Sequence, residues 1–244
     1  MNGQTQSIAS LQHQKNLYKT LGILSTSQSK KDQKIIHFSL VQADNLLLIF
    51  TRNPELGKCK TRLAATVGDQ IALDIYNFLL SHTVKITENI NAAKEVHYSD
   101  EIWEDDIWDP TFYRKKIQKG KDLGKRMEHA FQQGFENGYK KIVIVGTDIY
   151  ELSAADIENA FLSLDHADLV IGPAEDGGYY LLGMNKLNTN IFQNKNWGTN
   201  TVLKDTLIDL KNENVQLLET KNDVDLYEDI KDNVVFRHFL KDLQ

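Results

Sequence analysis

The sequence predicts an α/β fold built on one mixed, mostly parallel sheet flanked by helices. Three observations carry this. From residue 45 onward, apolar runs of strand length alternate with helical patterns, the order that builds parallel sheets. Lys141–Gly146 (KIVIVG) is apolar on both faces, as a central strand must be. The chain has 244 residues, 41% hydrophobic and 25% charged, so it can bury a large core without a disulfide or metal staple.

Each element follows in order. Leu46–Thr51 is the first strand. Asp69 to about Asn89 places Ile71, Ile75, Phe78, Leu79 and Ile86 at helical spacing. Glu95–Ser99 is a short strand, residues 100–110 an acidic connection carrying Trp103 and Trp108, and Phe112–Gln118 another strand. Leu123–Asn137 reads as a helix stopped by Gly138. Ser153 caps a helix through Leu164, with Asp156 in its first turn. Asp168–Ile171 and Gly178–Gly183 are strands, Thr199–Asn212 a helix, Val215–Leu218 a strand and Asp225–Lys231 a short helix. Residues 1–43 are rich in Gln, Ser and Lys and read as a poorly ordered extension ahead of a domain over 44–244. Within them, Ile35–Val41 is expected to form a short strand or hairpin arm.

Composition excludes several classes. The net charge of −6 argues against a nucleic-acid-binding face. The single cysteine, Cys59, rules out an intrachain disulfide and any multi-cysteine zinc site. There is no run of 18 apolar residues to span a membrane. No charged segment followed by a long apolar one opens the chain, so no signal peptide is expected and a cytoplasmic location is. The oligomeric state is left open. The seven histidines fall in no metal-binding spacing, and His97 among them reads as a surface or core residue.

The most informative stretch is Phe50 to Leu63. A strand runs into a Pro/Gly loop bearing Arg52, Lys58, Lys60 and Arg62. Gly57 lets backbone approach a ligand, and the cations suit phosphate oxygens. The Walker spacing is absent. The alternative is a solvated basic loop. Gly146-Thr147-Asp148 closes the central strand, where a carboxylate can hold a hard cation beside a diphosphate or simply anchor a turn. Glu175-Asp176-Gly177-Gly178 offers a general base or metal ligand, or a plain turn with solvated acids. Asp223 and Asp225 share a face of an extended segment and can converge on a cation, or cap the helix that follows. Gln118, before Gly120 and Gly124, has an amide able to read a base edge, or lies in a polar loop leading to an Asp122 cap. Trp197 is kept as a wall residue.

Each motif is weak alone, but their order is specific. Arg52…Pro54…Gly57…Lys60-Thr61-Arg62-Leu63, Gln118…Asp122-Leu123-Gly124, Gly146-Thr147-Asp148, Gly172 to Gly183, Trp197 and Asp223-Val224-Asp225 together resemble one family over about residues 45–232. It comprises the glycosyltransferases associated with arsenosugar biosynthesis, long catalogued as a family of unknown function. They look like a branch of the nucleotide-diphospho-sugar transferases with a GT-A fold. The resemblance implies that Arg52, Lys60 and Arg62 hold a nucleotide diphosphate, and that Gln118 and Leu123-Gly124 lie near the base. It implies that Asp148, with Asp225 and Asp223, binds Mg²⁺ or Mn²⁺, and that Asp176 or Glu175 faces the acceptor. Two departures bear on loop stiffness and metal geometry. Ile149-Tyr150-Glu151 lacks the family's proline after Asp148, and Leu226-Tyr227 replaces a Thr-Pro-like segment after Asp225.

The expected activity is metal-dependent glycosyl transfer from a nucleotide-activated sugar to a small-molecule acceptor. The alternatives are nucleotidyl transfer from an NTP with release of pyrophosphate, and a non-catalytic nucleotide-binding module.

Overall fold

The computed structural model describes residues 44–241. The poorly ordered extension expected over residues 1–43, including the arm at Ile35–Val41, lies outside the described residues. Seven strands form one sheet in the order β3-β2-β1-β4-β6-β5-β7. They are β1 (Asn45–Thr51), β2 (Ala93–Tyr98), β3 (Arg114–Ile117), β4 (Lys141–Val145), β5 (Leu169–Pro173), β6 (Tyr179–Met184) and β7 (Val215–Leu217). Among the described residues five α-helices flank it: α1 (Thr61–Val67), α2 (Asp69–Thr87), α3 (Leu123–Glu136), α4 (Ala154–Ser163) and α5 (Val202–Asp209).

The sheet is mixed and mostly parallel, as expected. The pairings β1–β2, β1–β4, β2–β3 and β5–β7 are parallel. Only β6 runs against its neighbours β4 and β5. The reason is local: β5 and β6 are joined by the short turn at 174–178, which leaves no room for a crossover helix.

The period of two sorts the central strands between two cores. Leu47 and Ile49 of β1 and Val143 and Val145 of β4 point into a core completed by Tyr76 and Leu80 of α2 and by Ile157 and Phe161 of α4. Leu46, Leu48, Ile142 and Ile144 point the other way, onto Met127, Ala130 and Phe131 of α3. Ser153 caps α4 as expected, and Asp156 completes a capping box with it, each accepting the other's backbone N–H.

Three expectations shift. Helix continues ahead of Asp69: α1 occupies Thr61–Val67, and Gly68 at φ 85° breaks it from α2. The helix expected over Thr199–Asn212 is shorter, spanning Val202–Asp209, because residues before it turn around Gly198. At the C-terminal end, Asp225–Lys231 holds only a 3-10 turn at Tyr227–Asp229. Its cap is Asp229, whose carboxylate accepts the backbone N–H of Asp225 at 2.9 Å and of Leu226 at 2.5 Å. Asp223 and Asp225 are thereby left free of the capping role.

Candidate active site

The carboxyl ends of β1 and β4 are tied together by one side chain. Tyr76 of α2 shares its hydroxyl with Thr51 (3.3 Å) and Thr147 (3.0 Å) and accepts the backbone N–H of Arg52 at 3.0 Å. This buried knot fixes where both following loops begin. Asn53, also buried, donates from Nδ2 to the Glu101 carbonyl at 2.9 Å and pins the first loop to the connection after β2.

The loop after β1 then turns inward. Lys60 takes a left-handed conformation, φ 49° and ψ 42°, rare for a residue with a side chain. Its side chain is 7% exposed, yet it carries a charge into the site. The ammonium lies 3.2 Å from Asp148 Oδ2 and 3.9 Å from Asp225 Oδ1. Burial pulls its pKa down, but Asp148 and Asp225 outweigh burial, and the net shift is upward. Arg62, more exposed, donates to Asp225 Oδ2 at 2.6 Å.

Asp148 follows β4 and folds back over Gly146. A Cβ on Gly146 would lie 2.7 Å from Asp148 Oδ1, so a larger residue there would push the carboxylate from its position. The Val224 N–H donates to the Asp148 carbonyl at 2.9 Å, bringing the last carboxylates alongside. Val224 is buried between them, and Asp223 and Asp225 project to the other side. Asp223 titrates at about 6, raised by burial and by the negative charges of Asp148 and Asp176.

The loop after Asp148 is anchored despite its missing proline. Tyr150 packs among Phe78, His82 and Phe236. Glu151 accepts the Asn222 N–H at 3.1 Å and steadies the segment leading to Asp223. Aromatic packing and a carboxylate cap here do the stiffening that a proline ring would do.

These groups face one cavity of about 860 Å³. Arg52, Lys60, Arg62, Gln118, Asp148, Asp176, Asp223 and Asp225 line it. Gly57, Gly124 and Glu175 do not. Gly57 sits in the turn ahead of Lys58 with φ 73°. Glu175 points to solvent beside the β5–β6 turn. Asp176 accepts the Gly178 N–H at 2.8 Å, so the turn reading and the site reading of this motif both describe it. Gly124 packs behind Trp197: a Cβ there would lie 2.4 Å from the indole ring, which lines the cavity and meets Tyr179 edge-on.

Gln118 lines the cavity, with its amide already bonded within the protein. Its Nε2 donates to the carbonyls of Thr51 (3.3 Å) and His97 (2.9 Å), and its Oε1 accepts from Arg126 at 3.2 Å. The amide is thus committed within the protein. Arg126 is the group it presents, held also by the Gly120 carbonyl at 3.2 Å. Arg126 and Tyr76 were missed in the sequence. Tyr76 is indistinguishable there from the apolar face of its helix. Arg126 did leave a signal: it is a cation in the first turn of a helix, where the dipole disfavours one.

Among the described residues no three His, Cys, Asp or Glu side chains converge closely enough to hold a metal by themselves. Asp148 and Asp225 do offer hard oxygens on either side of one point. That set fits Mg²⁺ or Mn²⁺ taking one or two carboxylates, with phosphate oxygens and water completing the shell. It does not fit an all-protein cage.

Known proteins agree with this architecture. Residues 83–199 match the family described as "Uncharacterized protein conserved in bacteria (DUF2064)". A crystal structure from Desulfovibrio desulfuricans G20, a "putative nucleotide-diphospho-sugar transferase", is 29% identical with a TM-score of 0.72, covering 82% of this chain and 95% of that one. The chain is similar to the nucleotide-diphospho-sugar transferases. The GT-A-like fold is shared more widely. The 4-diphosphocytidyl-2C-methyl-D-erythritol synthase of Anaerococcus prevotii DSM 20548 has the same fold at 9% identity and a TM-score of 0.51, over 81% of this chain and 97% of that one. No curated protein matches the chain. No helix among the described residues is long and apolar enough to cross a membrane.

Proposed function

We propose that the protein is a metal-dependent glycosyltransferase that takes a nucleotide-activated sugar as donor and a small molecule as acceptor. One observation carries the reading. The cations after β1, Asp148 after β4 and Asp225 in the segment after β7 meet across one cavity at the carboxyl ends of the strands, where open α/β sheets bind ligands. The likeness to the Desulfovibrio protein supports it.

In this reading Arg52, Lys60 and Arg62 hold the donor diphosphate. Arg52 is the readiest of them, since it makes no side-chain hydrogen bond or ion pair among the described residues. Asp148 and Asp225, with Asp223 beside them, hold Mg²⁺ or Mn²⁺, which when bound neutralises charge on the departing nucleoside diphosphate. Fixed donors aimed at developing charge are worth roughly 3 kcal/mol each in other enzymes. Asp176 faces the acceptor and takes its hydroxyl proton, whereas Glu175 is turned away. Trp197 forms a wall of the acceptor side.

Nucleotidyl transfer is the second reading. Arg52 and Arg126 add two guanidinium groups to the same cavity beyond the Lys60 and Arg62 pairs, enough cation for a triphosphate. Phosphorus NMR of the protein with a panel of sugar nucleotides and NTPs, with and without Mg²⁺ or Mn²⁺, separates the readings. Cation-dependent release of a nucleoside diphosphate from a sugar nucleotide is expected. Pyrophosphate from an NTP selects nucleotidyl transfer instead. Binding without turnover of any donor selects the non-catalytic module.

A further inference from the structure

We propose that Lys60 is the resident counter-ion of this site, holding Asp148 and Asp225 until a divalent cation takes its place, so that cation and donor diphosphate enter together. The inference rests on the donor and cation roles just proposed, and it adds the order in which charges are exchanged.

The ammonium of Lys60 lies between the two carboxylates, 3.2 Å from one and 3.9 Å from the other. It therefore stands against the very oxygens that a divalent cation needs. Its position is built in rather than adventitious. The left-handed backbone at residue 60 turns the side chain inward, and the side chain is only 7% exposed. A surface lysine would instead keep its head in water.

The local charges are balanced in this state. Lys60 and Arg62 face Asp148 and Asp225, two against two. A divalent cation arriving alone must displace the ammonium from both carboxylates that hold it. A diphosphate arriving alone finds Lys60 and Arg62 already held by Asp148 and Asp225. Arriving together, they exchange partners: the cation takes Asp148 and Asp225, and the diphosphate takes Lys60 and Arg62. No charge is left uncompensated. Each ligand then raises the other's affinity, and the enhancement is reciprocal.

The test reads Mn²⁺ binding directly, by electron paramagnetic resonance of the free ion, with Mn²⁺ alone as the probe. The wild type, Lys60→Gln and Lys60→Gln/Asp148→Asn are compared. Removing the competing ammonium is expected to tighten Mn²⁺ by about tenfold or more, within the usual range of such couplings. Adding Asp148→Asn is expected to reverse the gain. Equal affinity in the wild type and Lys60→Gln overturns the inference and leaves the cation site standing. Absence of Mn²⁺ binding in every form overturns both the inference and the cation role, while metal-free donor turnover reports separately on the donor reading. If Lys60→Gln does not fold, reductive methylation of Lys60 in the wild type, followed by mass spectrometry, serves instead. Saturating Mn²⁺ is expected to release the ammonium and raise its labelling several-fold, and unchanged labelling overturns the inference.

Discussion

Two clusters of mixed charge lie on the same sheet, and they differ in nearly every consequence. The first is Lys60 and Arg62 after β1 with Asp148 after β4 and Asp225 in the segment after β7. Its carboxylates are partly open, with side chains 41% and 30% exposed. The second is Glu95, His97 and Lys116, on β2 and β3. Glu95 Oε2 lies 3.2 Å from His97 Nε2 and 3.0 Å from Lys116 Nζ, with Glu95 and His97 sealed from water. His97 stacks on Phe50, and burial lowers its pKa despite the neighbouring carboxylate, so the imidazole is neutral and the bond to Glu95 is a hydrogen bond. The same residue types give a ligand site where strands end at a cavity, and a structural clamp where they pair edge to edge.

The largest expected difference is in what each cluster does when cut. Asp148→Ala is expected to lower turnover by at least ~10²-fold, as loss of one electrostatic stabiliser does elsewhere. The melting temperature should change little, because Lys60 keeps Asp225. Steady-state kinetics and a thermal melt check both, and unchanged turnover removes Asp148 from the site. Glu95→Ala is expected to do the opposite: a loss of about 2 kcal/mol of stability in urea unfolding, with ligand binding intact. The cost is held down because Glu95 Oε1 already lacks a partner and Lys116 can reach water.

The surroundings of the two clusters should also answer pH with opposite sign, through Asp223 beside the first and Glu95 and His97 in the second. Asp223 is raised from 3.8 to about 6, so across that window the folded state binds more protons than the unfolded one, and stability falls as pH rises. For Glu95, burial is outweighed by its bonds to His97 and Lys116, and its pKa is lowered from 4.5. His97 is lowered from 6.5. Below those values the unfolded state binds more protons, and stability falls as pH drops. Melting temperatures from pH 4 to 7 are expected to lose the downward component in Asp223→Asn and the upward component in a Glu95/His97 double variant. Identical profiles in the wild type and Asp223→Asn contradict the first assignment.

The smallest effect expected is at the cavity wall. Gly124→Ala forces a Cβ against the Trp197 ring. Because the ring end of Trp197 can swing toward solvent, the stability cost should stay near 1 kcal/mol, the low end for overpacking. Tryptophan emission should shift to the red, and ligand binding should weaken. Unchanged emission shows that the wall is not held by this contact.

Strand and helix periods were legible because burial imposes them locally: β4, α3 and the Ser153 box follow directly from adjacent residues. Two loops of interest were legible because they follow apolar strands. Which cation meets which carboxylate was not. Arg62 and Asp225 are 163 positions apart, and Lys60 and Asp148 are 88, so the second pair exists only once β1 and β4 lie side by side, and the first only once the segment after β7 is held beside Asp148. The sealed clamp was hidden for the same reason, since Lys116 reaches Glu95 only through the β2–β3 pairing. Gln118 shows the remaining limit: the side chain was noticed, but its amide is spent on two carbonyls that sequence cannot place beside it.

The most direct test of the central claim is a thermal-shift series with nucleoside diphosphates and Mg²⁺ or Mn²⁺, on the wild type and on Arg52→Ala. A ligand that binds only the native state stabilises it by ~2.7 kcal/mol at a hundredfold excess over its dissociation constant. A cation-dependent rise in melting temperature is expected with at least one nucleoside diphosphate, reduced in Arg52→Ala. A rise of equal size in Arg52→Ala, or none with any nucleotide in the wild type, contradicts the claim that this cavity is a diphosphate site.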